Sequence, residues 1–234
     1  MMKRAMVTAL TCAALALPLG NAAAQDMPSA EEVINKYRDA SGTKDAKFKN
    51  RVTKGTFALP DMGMSGTNIS YSEQPNMLNV ITLDAFGEVK RGISGDVVWS
   101  SDPMQGARIV EGEEAKAMMN QNQFDQFANW KDDFESAEVV GEADVDGTTA
   151  WQVKVTPKEG NESTMYFAKD SGLLARVEAT DAMGTPNTTT LSDYKEVDGV
   201  QVPHMIKIEG GMATFEITTE SVEHDAEIPA GTFD

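Results

Sequence analysis

The residues best suited to chemistry in this chain are few, and their spacing does not bring them together. Its two histidines are His204, which follows Pro203 at a strand start, and His224, in the polar stretch Glu223-His224-Asp225. A hairpin turning at Gly210-Gly211 sets Glu209 opposite Met212 and His204 opposite Ile217, so the histidines are not cross-strand partners. Zinc binding or a nucleophilic triad needs ligands that converge. The carboxylates are plentiful, but pairs such as Asp132-Asp133 and Glu113-Glu114 are adjacent in sequence and diverge on a helix or a strand. A glycosidase-type pair requires two carboxyl groups facing one bond, and nothing selects one. Of the methionines beyond residue 24, only Met62 with Met64 and Met118 with Met119 are close, a poor copper site and a good adaptable apolar lining. The single cysteine, Cys12, lies in the leader. No phosphate-binding glycine loop or nucleophile elbow occurs. The expectation is a protein that is not an enzyme and uses no metal or cofactor.

The elements that would position a site begin after a leader. Lys3 and Arg4, the apolar run Ala5 to Leu19 and the small residues Ala22-Ala23-Ala24 predict a cleavable signal peptide over 1–24 and export to a periplasm of the Gram-negative type. No later segment is apolar for 18 residues, so no transmembrane segment is expected in the mature chain, 25–234. Removing the leader leaves 18 basic residues against 37 acidic ones, a formal charge of −19. Such a surface repels nucleic acid and anionic headgroups, and keeps an exported protein in solution.

The mature chain opens with a helix. Ser29 and Glu32 form a capping box, Val33, Tyr37 and Ala40 share a face, and Gly42 supplies the stop. From Lys47 the apolar period becomes two. Short β-branched segments are separated by Pro60-Asp61, Gln74-Pro75-Asn76 and Ser94-Gly95-Asp96, then by Asp146-Gly147, Ser171-Gly172, Asp198-Gly199 and Gly210-Gly211, so the pairing is antiparallel. Between the two runs, a helix over about 113–133 gathers Met119, Phe124, Phe127, Trp130 and Phe134 on one half of its circumference. The fold class is therefore mainly β: one antiparallel sheet of about eleven strands, with an N-terminal helix and a mid-chain helix. A sheet of that width must curl or split. If it curls around the helices, it encloses an apolar interior, and patterning leaves open whether that interior is a solid core or a cavity.

Three segments resemble the periplasmic lipoprotein carrier and acceptor family (LolA/LolB-like). Gln74-Pro75-Asn76-Met77-Leu78-Asn79 resembles its basic-Pro-Asn-apolar strand start, and Ser94-Gly95-Asp96-Val97-Val98-Trp99 before Pro103 resembles its Asp-Gly-x-x-x-Trp strand and proline turn. Leu191 to Pro203 is similar to the strand-turn-strand of its outer-membrane lipoprotein-sorting relatives. The resemblance implies an unclosed β-barrel whose helices cover an apolar cavity for acyl chains. Gln74 stands where the family carries arginine, and a neutral amide cannot make the same charge-assisted hydrogen bonds.

Together these readings predict a non-catalytic periplasmic binding or carrier protein for acyl chains, lipids or lipoproteins. The expected lining is Phe57, Met64, Ile69, Met77, Val80, Leu83 and Trp99 on strands, with Met119, Phe124, Phe127 and Trp130 above them. Two other readings stand beside it: an envelope protein-interaction or sensor module with a filled core, and a hydrolase with a polar two-carboxylate pocket.

Overall fold

A computed structural model describes residues 27–158, 161–180, 184–211 and 213–233, with the backbone alone for Glu113, Ala117, Asn120 and Gln121. The expected signal peptide, and with it Cys12, lies outside the described residues, as do Met183 and Met212. Helix α1 (Ala30–Ser41) starts as its sequence dictates. The Ser29 hydroxyl accepts the Glu32 amide, the Glu32 carboxylate accepts the Ser29 amide at 2.7 Å, and Gly42 closes the helix at φ 72°.

Thirteen strands follow. β1 (Arg51–Leu59), β2 (Met64–Glu73), β3 (Asn76–Leu83), β4 (Gly87–Ser94), β5 (Val97–Asp102) and β6 (Gly106–Val110) form one meander. β7 (Phe134–Val145), β8 (Thr148–Pro157), β9 (Ser163–Ala168), β10 (Leu174–Thr180), β11 (Pro186–Val197), β12 (Val200–Gly210) and β13 (Phe215–His224) form a second. The order is β6-β5-β4-β3-β2-β1-β13-β12-β11-β10-β9-β8-β7, antiparallel throughout. Its two ends, β6 and β7, are not paired with each other, so the curled sheet stays unclosed. The turn residues act as expected: Asp146-Gly147 and Asp198-Gly199 take φ of 51° and 86°, and 50° and 81°, the double left-handed turn that matches strand twist.

Directly paired residues share a face, so the ladder assigns each side chain to one side of the sheet. One row runs Arg51, Ser72, Met77, Ile93, Val98, Val110. Nearer the other end of the strands, a parallel row runs Ile206, Ile217, Phe57, Gly66, Leu83. Both lie on the face that carries the helices. There, α1 packs Val33, Ile34 and Tyr37 against Val139, Val153, Val155, Phe167 and Leu174.

Three expectations need correction. The sheet has thirteen strands rather than about eleven. The mid-chain helix is not continuous: α2 (Gly112–Gln121) and α3 (Trp130–Asp133) are joined by turns, and Phe134 already belongs to β7. Two polar side chains compete with the helical ladder at the break. Asn122 donates to the carbonyls of Pro75 (2.9 Å) and Asn76 (3.3 Å), while Asp125 accepts its own local amide, Phe127 N–H (3.2 Å), and a two-pronged bond from Arg38. Finally, the last hairpin is longer than a two-residue turn. Ile208 faces Phe215 and Ile206 faces Ile217, a register that a two-residue turn at Gly210-Gly211 does not give, and Thr214 N–H donates to the Asp61 carboxylate at 2.8 Å.

Candidate ligand-binding face

The eleven residues expected to line an interior divide into five groups. Phe57, Met64 and Leu83 meet at one end of the strands. Phe57 and Leu83 are buried together with Leu59, and Met64, Ile81, Phe86, Ala213, Phe215 and Ile217 pack against them half-buried. Met77 and Met119 meet under α2, beside Ile93, Val98, Val110 and Met118. Phe127 and Trp130 join the cluster under α1, where Phe127 is 3% exposed. Phe124 stands apart from all of these, edge-on to Phe48 at 4.6 Å. Ile69, Val80 and Trp99 face the other way. Ile69 and Val80 share a row with Lys54 and Lys90, and the Trp99 ring covers Gly92, where a Cβ atom would come within 2.3 Å of it. Three of the seven strand residues thus fall on the face away from the helices, because alternation gives the two faces but not which one is covered.

Beneath the connector between α2 and α3 the packing is close. The Phe127 ring meets Tyr37 at 5.3 Å, Phe167 at 6.1 Å and Phe134 at 6.4 Å, all edge-on. Arg38 and Asp125 pin the connector to α1 at 2.6 Å, and Gln74 donates to the Asn122 carbonyl at 2.8 Å. The neutral amide of Gln74 therefore serves as a tether. The apolar surface left over lies elsewhere on the same face, around Phe57 and Leu83, where the packed neighbours come from strands and turns alone. Periodicity missed Ile81, Phe215 and Ile217 as members; the pairing of β2 with β3 places Ile81 there, and that of β1 with β13 brings in Phe215 and Ile217. The nearby turns expose Met62 (56%) and Met104 (80%).

Between that apolar floor and the α1 end of the sheet the face turns polar. Asn68 is buried and its side-chain oxygen Oδ1 accepts from Asn79 Nδ2 at 2.7 Å; Thr53, Ser70 and the buried Thr219 lie beside them on the same face. Beyond this belt stands Arg51. Its Nε donates to His224 Nε2 at 3.0 Å, which puts the imidazole proton on Nδ1, directed at Asp198 Oδ2 at 3.0 Å. The guanidinium lies over the rings of Phe48 (5.0 Å) and Phe124 (5.3 Å), and His224 stacks on Phe48 at 3.8 Å. Burial lowers the Arg51 pKa to about 10, raises that of Tyr37 to about 12, and lowers that of His224. One guanidinium nitrogen of Arg51, Nη2, is shut off from solvent without a hydrogen-bond partner.

Two clefts open outside this interior and both are polar. One of about 760 Å³ lies behind Phe48 and His224 and is lined by Asp39, Asp45, Asp198 and Asp225; one of about 290 Å³ lies by Glu162 and Glu178. His204 is buried and bonded locally to the Val202 carbonyl at 3.0 Å, remote from the His224 arrangement. Among the described residues no group of three or more His, Cys, Asp or Glu is placed to hold a metal ion, and no helix is long and apolar enough to cross a membrane.

No protein-family model matches the sequence, and none of the curated proteins matches it. Solved structures do. A DUF1329 family protein from Desulfovibrio piger superposes with a TM-score of 0.61 at 14% identity, covering 86% of this chain and 97% of that one. A LolA superfamily protein from Nitrosomonas europaea gives 0.58 at 13%, covering 89% and 98%. A putative outer membrane lipoprotein-sorting protein domain from Vibrio parahaemolyticus gives 0.57 at 13%, covering 88% and 97%. The fold is thus LolA-like over most of the chain.

Proposed function

We propose that this chain is an exported, non-catalytic binding or carrier protein for lipids or acylated proteins, its leader over 1–24 removed on entry to the periplasm. The observation that carries the reading is the apolar floor on the same face as the helices, in which Phe57 and Leu83 are buried and Ile81, Phe215 and Ile217 stay half-buried over them. Each methylene removed from water contributes about 0.8 kcal/mol, so ten against this floor supply roughly 8 kcal/mol before the cost of association. That suffices for one acyl chain. The fold shared with a lipoprotein-sorting domain and a LolA superfamily protein agrees with this use, although a fold by itself does not assign a job.

The test is lipid extraction from natively purified protein, with mass spectrometry, followed by titration with a fluorescent acyl probe. Ile217→Asp should weaken probe binding at least tenfold without changing the far-UV spectrum. Purified protein that carries no lipid and ignores the probe would overturn the carrier reading. A second reading, an envelope protein-interaction module, draws support from the close packing under the connector; it predicts capture of an envelope protein partner with no lipid bound.

A further inference from the structure

Arg51 is an unusual use of a cation in so acidic a chain. Among the described residues no carboxylate pairs with it, although 37 acidic residues are available. Its charge is desolvated against two adjoining phenyl rings, one donor goes to a neutral imidazole, and Nη2 is spent on nothing in the protein. An unpaired buried charge is unfavourable, and a well-aligned acidic partner offsets part of that penalty. A planar guanidinium with a free prong is also the side chain best matched to a carboxylate or phosphate.

Its position gives the cation a direction. Arg51 and Phe57 share strand β1 and one face, six residues apart, or about 20 Å along the strand. Along that line the face changes from cation to amides and hydroxyls (Thr53, Asn68, Ser70, Asn79) and then to the apolar floor. The sequence of polarities is that of a single-chain anionic amphiphile: charge, polar linker, tail. Building on the carrier reading above, we infer that the ligand is such an amphiphile, bound with its carboxylate or phosphate on Arg51 and its tail over Ile81, Phe215 and Ile217, the half-buried residues packed on Phe57 and Leu83. Phe124, half-buried on the turns between α2 and α3, covers the guanidinium and turns aside to admit the headgroup.

The experiment compares ligands that share a hexadecyl-length tail and differ in whether the headgroup is charged. Lysophosphatidate is set against monopalmitin, and palmitate against hexadecanol, each by displacement of the acyl probe from the full mature chain. The charged member of at least one pair should bind tenfold or more tightly, and which pair shows it separates a phosphate from a carboxylate. Arg51→Met should erase the preference while leaving the neutral ligand unchanged, and Arg51→Lys should keep part of it. Arg91→Met, which removes an exposed cation from the same face, should leave the preference intact. Equal affinities within both pairs in the unaltered protein would overturn the inference, and that comparison stands even if an Arg51 variant fails to fold. A preference that survives Arg51→Met, or disappears with Arg91→Met, would overturn it as well. Binding of neutral chains without preference sinks only this inference, whereas no binding of any chain sinks the carrier reading with it.

Discussion

Phe127→Ala tests whether the connector between α2 and α3 is a fixed part of the core. The ring is 3% exposed and makes three edge-on aromatic contacts, to Tyr37 on α1, Phe134 on β7 and Phe167 on β9. Truncating a buried phenylalanine costs about 3–5 kcal/mol, from lost transfer energy and the cavity left behind. With three aromatic partners the upper half of that range applies, about 4 kcal/mol. A domain of this size has a urea m-value of about 2–3 kcal/mol/M, so the unfolding midpoint should fall by roughly 1.3–2 M. Urea titration followed by tryptophan fluorescence and by far-UV circular dichroism reads this directly. Ile109→Ala, on exposed edge strand β6, is the control and should stay within about 0.5 kcal/mol. A loss below about 1 kcal/mol for Phe127→Ala would refute the reasoning, because the ring would then spend much of its time in water and the connector would be a loose flap.

Other outcomes follow from the same geometry. Asp125→Asn should cost about 2 kcal/mol, the range for a hydrogen bond to a charged group, and adding Arg38→Met should cost little more; a double-mutant cycle on urea midpoints measures the coupling. Gly92→Ala should displace the Trp99 ring and cost about 1–3 kcal/mol with a change in near-UV dichroism, whereas Gly141→Ala, with open space around it, should do neither. His224 is held neutral in the fold by burial, so its folded pKa lies below the unfolded value of about 6.5. The unfolded chain then binds the extra proton first, and stability present above pH 6.5 is lost as the pH falls toward the folded pKa. The drop in Tm between pH 7.5 and 5 should be smaller in His224→Gln than in the unaltered protein; equal drops would acquit His224.

The elements whose instructions are local were legible in the sequence. The Ser29–Glu32 box, the stop at Gly42 and the Asp-Gly turns depend on a few adjacent residues, and each stands where the pattern put it. What failed depended on distant partners. Asn122 and Asp125 break the mid-chain helix because the carbonyls of Pro75 and Asn76 and the Arg38 guanidinium, far away in sequence, offer them better bonds. Ile69, Val80 and Trp99 fall on the face away from the helices, since strand parity names two sides without saying which the helices cover. Arg51 left no trace, because nothing in a run of residues shows that a cation will be buried without an acid.

The strand order has a consequence for how the molecule holds together. Every neighbouring pair in the sheet joins strands consecutive in the chain, except β1 with β13. The protein is therefore two ribbons, each folded by its own hairpins, zipped along a single seam at the centre of the sheet, where Lys49 and Asn50 also clasp Asp225. The covalent bridge between the ribbons is residues 111–133, which cross from one outer edge to the other. Severing that bridge would leave both ribbons intact and still joined at the seam, with α1 of the first lying across the second. Pieces made separately on either side of it should find each other and rebuild the whole.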